Sequence, residues 1–314
     1  MGCHCDHHHH GKKKRSVRGI VHKECDLSTL NDLVDSQPAI SDALDTLDPI
    51  TLFAPTNKSF KNFTPGATCG EVDQILLYHV VAEYLDSCTL ENDKLYNTLR
   101  EGEQVRSNVY GGRKFREVIT INGVPVVEAD LKARNGVVHK IEPGVLCPPA
   151  GNILELALAT PDLSTLVAAV QAASPAIAEA LANTDALTVF APSNEAFAEL
   201  DADLQKLGCS LGDLLDNQAL LDSVLLYHVL GQTVWSAAIR TSKTKNIHTL
   251  LEGEKLDFKR KCEKKILVRD ETCGFSRIST ADILGSNGAV HIIDRVLLPI
   301  PLSQVVDQLS CSNP

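Results

Sequence analysis

The sequence of 314 residues predicts an α+β fold built twice in tandem. Two observations carry this expectation. Long phrases return in the same order, and each copy shows helical spacing in its first half and strand-like alternation in its second. TLFAPTNKSF at Thr51–Phe60 returns as TVFAPSNEAF at Thr188–Phe197, and LLYHV at Leu76–Val80 returns unchanged at Leu225–Val229. DLSTL occurs at Asp26–Leu30 and Asp162–Leu166, and NGVVH at Asn135–His139 matches NGAVH at Asn287–His291. A period far above the roughly 20–50 residues of solenoid repeats means tandem globular domains, each burying its own core. The expected domains are residues 20–149 and 150–314, with 1–19 outside the fold as a disordered or processed tail.

In the second copy, ILELALA at Ile153–Ala159 and LSTLVAAVQAA at Leu163–Ala173 place apolar residues three and four apart, which predicts two amphipathic helices with Asp162 capping the second. A third helix follows over Pro175–Ala182. LTVF is short and β-branched, so it reads as a strand that Ala191-Pro192 ends. Ser193 or Asn194 then caps a helix running to Leu200, and Leu220–Leu230 is again helical. Beyond it TLLEGEKLDFKR, KKILVRD and SRISTADIL read as strands joined by Gly-containing turns, and NGAVHIIDRVLLP as a tight turn into a closing strand. The first copy follows the same plan with two expected departures. VRGIVHKECD replaces the opening helix, and Pro143 with one extra residue predicts a bulge and an edge position for the closing strand.

Composition narrows the function. A formal charge of −10 disfavours nucleic-acid binding, and the one cation cluster, Lys12–Arg15, lies in the tail. No run reaches the roughly 18–20 apolar residues of a membrane-spanning helix. Ten cysteines divide as Cys3 and Cys5 in the tail and four per repeat, as internal disulfides and an oxidising compartment would require. The pairings expected are Cys69–Cys88 and Cys262–Cys273 across short loops, then Cys25–Cys147 and Cys209–Cys311 tying domain ends. Buried free thiols are the alternative. No secretory leader is visible at the start, where MGCHCDHHHHGKKKR reads as an engineered or processed end, an acylation signal, or a weak metal site using Cys3, His4 and Cys5. Sequons occur at Asn57 and Asn62, the second more credible for glycosylation because Asn57 lies in a packed motif. No nucleophile elbow, zincin, phosphate-loop or dinucleotide motif occurs, so no catalytic residue is assigned.

The set FAPTN or FAPSN, then YHV, then NGVVH or NGAVH leading to VLCP or VLLP, resembles the fasciclin domain over about residues 20–305. The resemblance implies helices wrapping a two-sheet β-wedge, a secreted or cell-surface location, and adhesion to matrix components or cell receptors without catalysis. For animal members it implies integrin-like receptors, through an Asp-Ile or similar pair before the last turn and through the Tyr-His motif. Here these fall on Asp130-Leu131 and Asp282-Ile283, and on Tyr78-His79 and Tyr227-His228, with Asp282-Ile283 the better match. Each also has a structural reading. A histidine in an apolar helix is more often hydrogen-bonded in the interior, an Asp before a turn more often bonds nearby amides, and Asn57 and Asn194 are expected to bond the backbone at the strand-to-helix turn. Trp235 is either a core filler or a ligand contact.

Three functions therefore stand as expectations. The first is adhesion, with no cofactor and weak, multivalent contacts that include self-association. The second is binding of a carotenoid or other hydrophobic ligand, as in some algal relatives. The third is a structural spacer.

Overall fold

The computed structural model describes residues 14–61, 63, 69–111, 118–241, 246–260, 265–272 and 274–309. The chain separates into two compact units. One holds residues through Leu90, Tyr96–Val105 and Val126–Cys147; the other holds Glu91–Leu95, Arg106–Pro125 and Pro148–Pro314. Two segments of the first repeat, Glu91–Leu95 and Arg106–Pro125, thus group with the second unit.

The first repeat runs through helices α1 (Val17–Lys23), α2 (Ser28–Asp35) and α3 (Pro38–Thr46), strand β1 (Ile50–Pro55), helix α4 (Val72–Tyr78), and strands β2 (Val80–Val81), β3 (Lys94–Asn97), β4 (Gln104–Tyr110), β5 (Val118–Ile121), β6 (Val124–Lys132) and β7 (Gly136–Ile141). The second runs through α5 (Ile153–Ala159), α6 (Ser164–Ala172), α7 (Pro175–Asn183), β8 (Leu187–Pro192), α8 (Asn194–Gln205), α9 (Leu211–Asp216), α10 (Gln218–Tyr227), β9 (Val229–Leu230), α11 (Ser236–Thr241), β10 (Ile247–His248), β11 (Lys255–Arg260), β12 (Ile266–Arg269), β13 (Phe275–Gly285), β14 (Gly288–Ile293) and α12 (Leu302–Leu309). Helices lead and strands follow in each, as the periodicity predicts.

Each repeat forms seven strands in the same order, β2-β1-β7-β6-β5-β4-β3 and β10-β11-β12-β13-β14-β8-β9. The wedge comes from one long strand. In the second repeat, the first residues of β13 pair with β12, its last residues pair with β14, and two register shifts separate them near Thr280 and Ile283. A bulge bends a strand and adds twist, so the sheet folds around β13 and encloses apolar side chains on both faces. On β8, Val189 and Ala191 point to a core shared with the helices, and Phe190 to a second core with Tyr227, Leu256, Phe258 and Val268. Strands β1, β7, β8 and β14 are buried along their whole length, because each central strand is covered on both sides.

Three expectations change here. A helix does open the first repeat: Ser16 accepts from the Gly19 amide as N-cap, and Val17 and Val21, one turn apart, are fully buried. The tail therefore ends before Ser16, inside the 1–19 stretch set aside. Strand β7 is not an edge, since it pairs in parallel with β1 and antiparallel with β6. Pro143 lies beyond its end, and the register shifts fall in β6 and β13 instead. Asp162 does not cap α6 either: Leu163 holds the cap position, and the Thr165 amide donates to Asn194 Oδ1 at 2.9 Å. Asn57 does the same for α2, accepting from the Thr29 amide at 2.9 Å.

Candidate functional site

The repeated motifs build the same polar skeleton twice. Thr51 Oγ1 donates to Glu83 O and accepts from the Leu85 amide, and Thr188 does likewise with Gln232 O and the Val234 amide. Asn135 Oδ1 accepts from the Val17 amide while its Nδ2 donates to Leu44 O and Leu47 O. Asn287 repeats this with the Ile153 amide, Leu181 O and Thr184 O. One amide side chain thus ties the start of the first helix in each repeat to the end of the third. It satisfies terminal groups that burial would otherwise leave unpaired.

The Tyr-His motif points inward. Tyr78 and Tyr227 are fully buried, and their hydroxyls donate to Gln104 O at 2.8 Å and Lys255 O at 3.2 Å. His79 Nδ1 donates to Ile75 O at 2.7 Å and Nε2 accepts from the Leu146 amide at 2.9 Å. His228 matches it with Val224 O and the Leu297 amide. Both nitrogens are engaged, which fixes one neutral tautomer. Burial pushes each pKa down to about 4.

His139 and His291 carry the opposite tautomer. Nε2 of each donates to a backbone carbonyl, Leu85 O at 2.7 Å and Val234 O at 2.8 Å. Nδ1 accepts from the Asp130 amide at 3.3 Å and the Asp282 amide at 3.1 Å. The rings stack on Phe53 and Phe190, and burial lowers both pKa values. Asp130 and Asp282 sit at φ of 64° and 63° inside the bulged strands. Each carboxylate accepts from the amide and the hydroxyl of one serine, Ser87 in the first repeat and Ser236 in the second. At Asp130 burial works against ionisation, but the Ser87 hydroxyl and amide outweigh it and hold the carboxyl below its ordinary range.

Of the eight receptor-contact candidates, then, Tyr78, His79, Tyr227 and His228 are buried, while Asp130, Leu131, Asp282 and Ile283 remain partly exposed. Leu131 and Ile283 pack at the margin of the helix-side cores. Trp235 is a core residue, fully buried in the second unit, and its indole N–H donates to Asn108 Oδ1 at 2.7 Å within that same unit. That removes it as a ligand contact in this conformation.

The cysteine pairing differs from expectation. Cys69 bonds Cys147, with Cα atoms 5.1 Å apart, while Cys25 and Cys88 are free and exposed. Neither Cys69–Cys88 nor Cys25–Cys147 forms. Sequence distance favours short loops, but β7 and the segment after it return Cys147 to the start of α4, beside Cys69. Cys209 is also disulfide-bonded. Cys262, Cys273 and Cys311 lie outside the described residues, as do Asn62 and the tail candidates Cys3, His4 and Cys5. Asn57 donates to Cys25 O and Ser28 Oγ besides serving α2, so its amide is committed to the fold. No group of three or more metal-ligating side chains occurs among the described residues.

One cluster escaped sequence reasoning. Lys140, only 4% exposed, donates to Glu24, Asp26 and Glu128, each at 2.9 Å. Burial opposes its charge, but the three carboxylates prevail and raise its pKa. The second repeat has Ile292 at this position, and that difference was the available signal. Lys140→Met is expected to destabilise the first unit by about 2–4 kcal/mol, because three crowded carboxylates lose their neutralising partner. Denaturant melts of the parent and the variant will show the loss.

Comparison with known proteins fits this architecture. The family model described as "Fasciclin domain" matches residues 25–148 and again 161–299. The chain is 32% identical over 277 residues to pig transforming growth factor-beta-induced protein ig-h3, covering 88% of this chain but 37% of that protein. It is 28% identical over 312 residues to fasciclin-like arabinogalactan protein CTB11 of Cercospora beticola, covering 91% of this chain and 76% of that one. Among solved structures, a FAS1 domain pair from the insect cell adhesion molecule fasciclin I aligns over 87% of this chain and 97% of its own, with a TM-score of 0.43 and 20% identity. The chain thus spans little more than a third of the mammalian relative it matches. On two matches that cover most of its length, the chain belongs to the fasciclin-domain family.

Proposed function

We propose that this chain is a non-catalytic, extracellular or cell-surface adhesion module that binds matrix components or a receptor through the strand ends carrying Asp282-Ile283 and, more weakly, Asp130-Leu131. The observation that supports it most is the sorting of the motif residues. The Tyr-His half is consumed by the fold, whereas the Asp-Ile half keeps a partly exposed carboxylate, 30% accessible at Asp282, beside an apolar side chain. A carboxylate paired with an aliphatic residue on a bulged strand suits a receptor that supplies a cation or guanidinium. Non-catalytic function fits the histidines. All four buried rings have both nitrogens bonded to protein groups, so none is free to take a proton from Ser87 or Ser236. No single helix among the described residues is long and apolar enough to cross a membrane.

Asp282→Asn is the informative variant, because an amide still accepts from the Ser236 amide and asparagine tolerates positive φ. It should weaken saturable binding to receptor-bearing cells about tenfold or more, at roughly the scale of a lost charged hydrogen bond, while thermal unfolding changes little. Asp130→Asn should do less. Unchanged binding in the double variant would rule out this surface.

A further inference from the structure

The two repeats supply an internal control for one cavity. In the second unit an apolar slot opens between α5, α6, α7, α10 and the face of β8, lined by Leu154, Val167, Val170, Val189, Leu226 and Leu250 among others. Its floor is fully apolar strand and helix. Leu154, Val167 and Leu226 are half-buried, and Leu250 is 37% exposed at the rim. The one polar side chain in the lining, His228, has both ring nitrogens already bonded.

The first repeat closes the equivalent place with polar groups. Arg18 stands where the second repeat has Leu154, Asn31 where it has Val167, Asp35 where it has Gln171, and Ser41 where it has Ala178. Arg18, its side chain only 15% exposed, donates to Asn31 Oδ1 at 2.8 Å and to Ser41 Oγ at 3.1 Å, and pairs with Asp35. One copy of the fold thus spans its three helices with a hydrogen-bonded clasp. The other has lost every member of that clasp and keeps an apolar opening.

From this difference we infer that the slot of the second unit binds the methyl end of an acyl chain, from a free fatty acid or from a membrane lipid. Three observations fix that class. The enclosed volume is about 30 Å³, which is small for a ring and suits the end of a slender chain. An apolar cavity stays dry, so filling it gains contacts without displacing bound water. A peptide inserted here would bring backbone N–H and C=O groups that find no partner in the lining, a cost of several kcal/mol per residue. A hydrocarbon brings none, and the rest of the chain can run out past Leu154, Val167 and Leu250 to leave its polar head in water. This site is independent of the adhesion reading, since Asp282 is not part of its lining.

The test compares the full chain with two variants. In the first, Leu154→Arg, Val167→Asn, Gln171→Asp and Ala178→Ser transplant the clasp of the first repeat. In the second, Ala157→Phe fills the slot and keeps it apolar, so that a folded control exists if the clasp variant fails to fold. The probe is cis-parinaric acid, whose fluorescence rises in an apolar site, with lauric acid as competitor. The full chain should saturate at one probe per chain. Either variant that melts cooperatively should bind about tenfold more weakly or worse, as expected when two or three methylenes lose their burial. Co-sedimentation with phosphatidylcholine vesicles separates the sources: capture that the variants lose assigns a membrane lipid, and probe binding without capture assigns a free acid. The inference is overturned if the full chain binds no probe and no vesicles, or if both variants bind as it does. It is also overturned if sedimentation shows the slot occupied by a second copy of the chain, as a dimer that the variants abolish.

Discussion

Gly288→Ala is expected to unfold the second unit. A Cβ at this position would lie 2.0 Å from Leu187 O and 2.8 Å from Leu187 N, both backbone atoms of the neighbouring strand. No rotamer relieves that contact, so β14 would have to move away from β8 and break the parallel pairing that runs from Gly288 to Ile293. That pairing lies between the two cores of the unit, and Asn287, the preceding residue, ties α5 to α7. The loss should exceed about 4 kcal/mol, the range reached when a core must be displaced rather than trimmed. Gly136→Ala should do the same to the first unit, where the added carbon would lie 1.9 Å from Ile50 O. Calorimetry of each variant should show one surviving transition. A variant whose two units both melt as in the parent would refute the close approach.

Acid should destabilise both units well before ordinary carboxylates protonate. His79 and His228 are neutral in the folded chain, with pKa values near 4 against about 6.5 when unfolded. The folded value is the lower one, so the unfolded state takes up the proton first as pH falls. Stability is complete above about pH 6.5, declines between 6.5 and 4, and levels off once the folded rings protonate too. At about 1.4 kcal/mol per pH unit, each ring accounts for roughly 3 kcal/mol across that window. His139 and His291, also lowered by burial, add in the same direction. Structure gives the reason for the cost. A proton on Nε2 of His79 would face the Leu146 N–H, and one on Nδ1 of His291 would face the Asp282 N–H. Urea melts should therefore show a steep loss between about pH 6.5 and 4. His79→Gln with His228→Gln should start less stable and flatten the curve; an unchanged slope would remove these rings from the explanation.

The fold was largely legible because the repeated phrases are the fold's own internal bonds. Thr51 and Thr188, Asn135 and Asn287, and the four buried histidines recur since each bonds a fixed backbone atom in both copies. What was not legible depends on distance in the chain. Asn57 accepts from the Thr29 amide, 28 residues earlier at the start of α2, and an asparagine after a strand carries no mark of that partner. Helix α1 shows only Val17 and Val21 as buried positions, too few for a periodic signal. Lys140 draws its three carboxylates from Glu24, Asp26 and Glu128, residues that only the folded chain brings together. The Asp-Ile pair was found in sequence, but its dependence on Ser87 and Ser236 was not, because neither serine lies in a repeated phrase.

The family signature is an internal scaffold, and under the proposed function the partner-facing chemistry lies in what differs between the repeats or stays exposed beside it. Imidazole nitrogen NMR tests this most directly. Of the eleven histidines, four should titrate below the ordinary histidine value, and two of these, His79 and His228, should still be neutral at about pH 5.5. Two of them, His79 and His228, should carry the proton on Nδ1, and the other two, His139 and His291, on Nε2. Rings at these positions that titrate near pH 6.5, or exchange freely between tautomers, would contradict the claim.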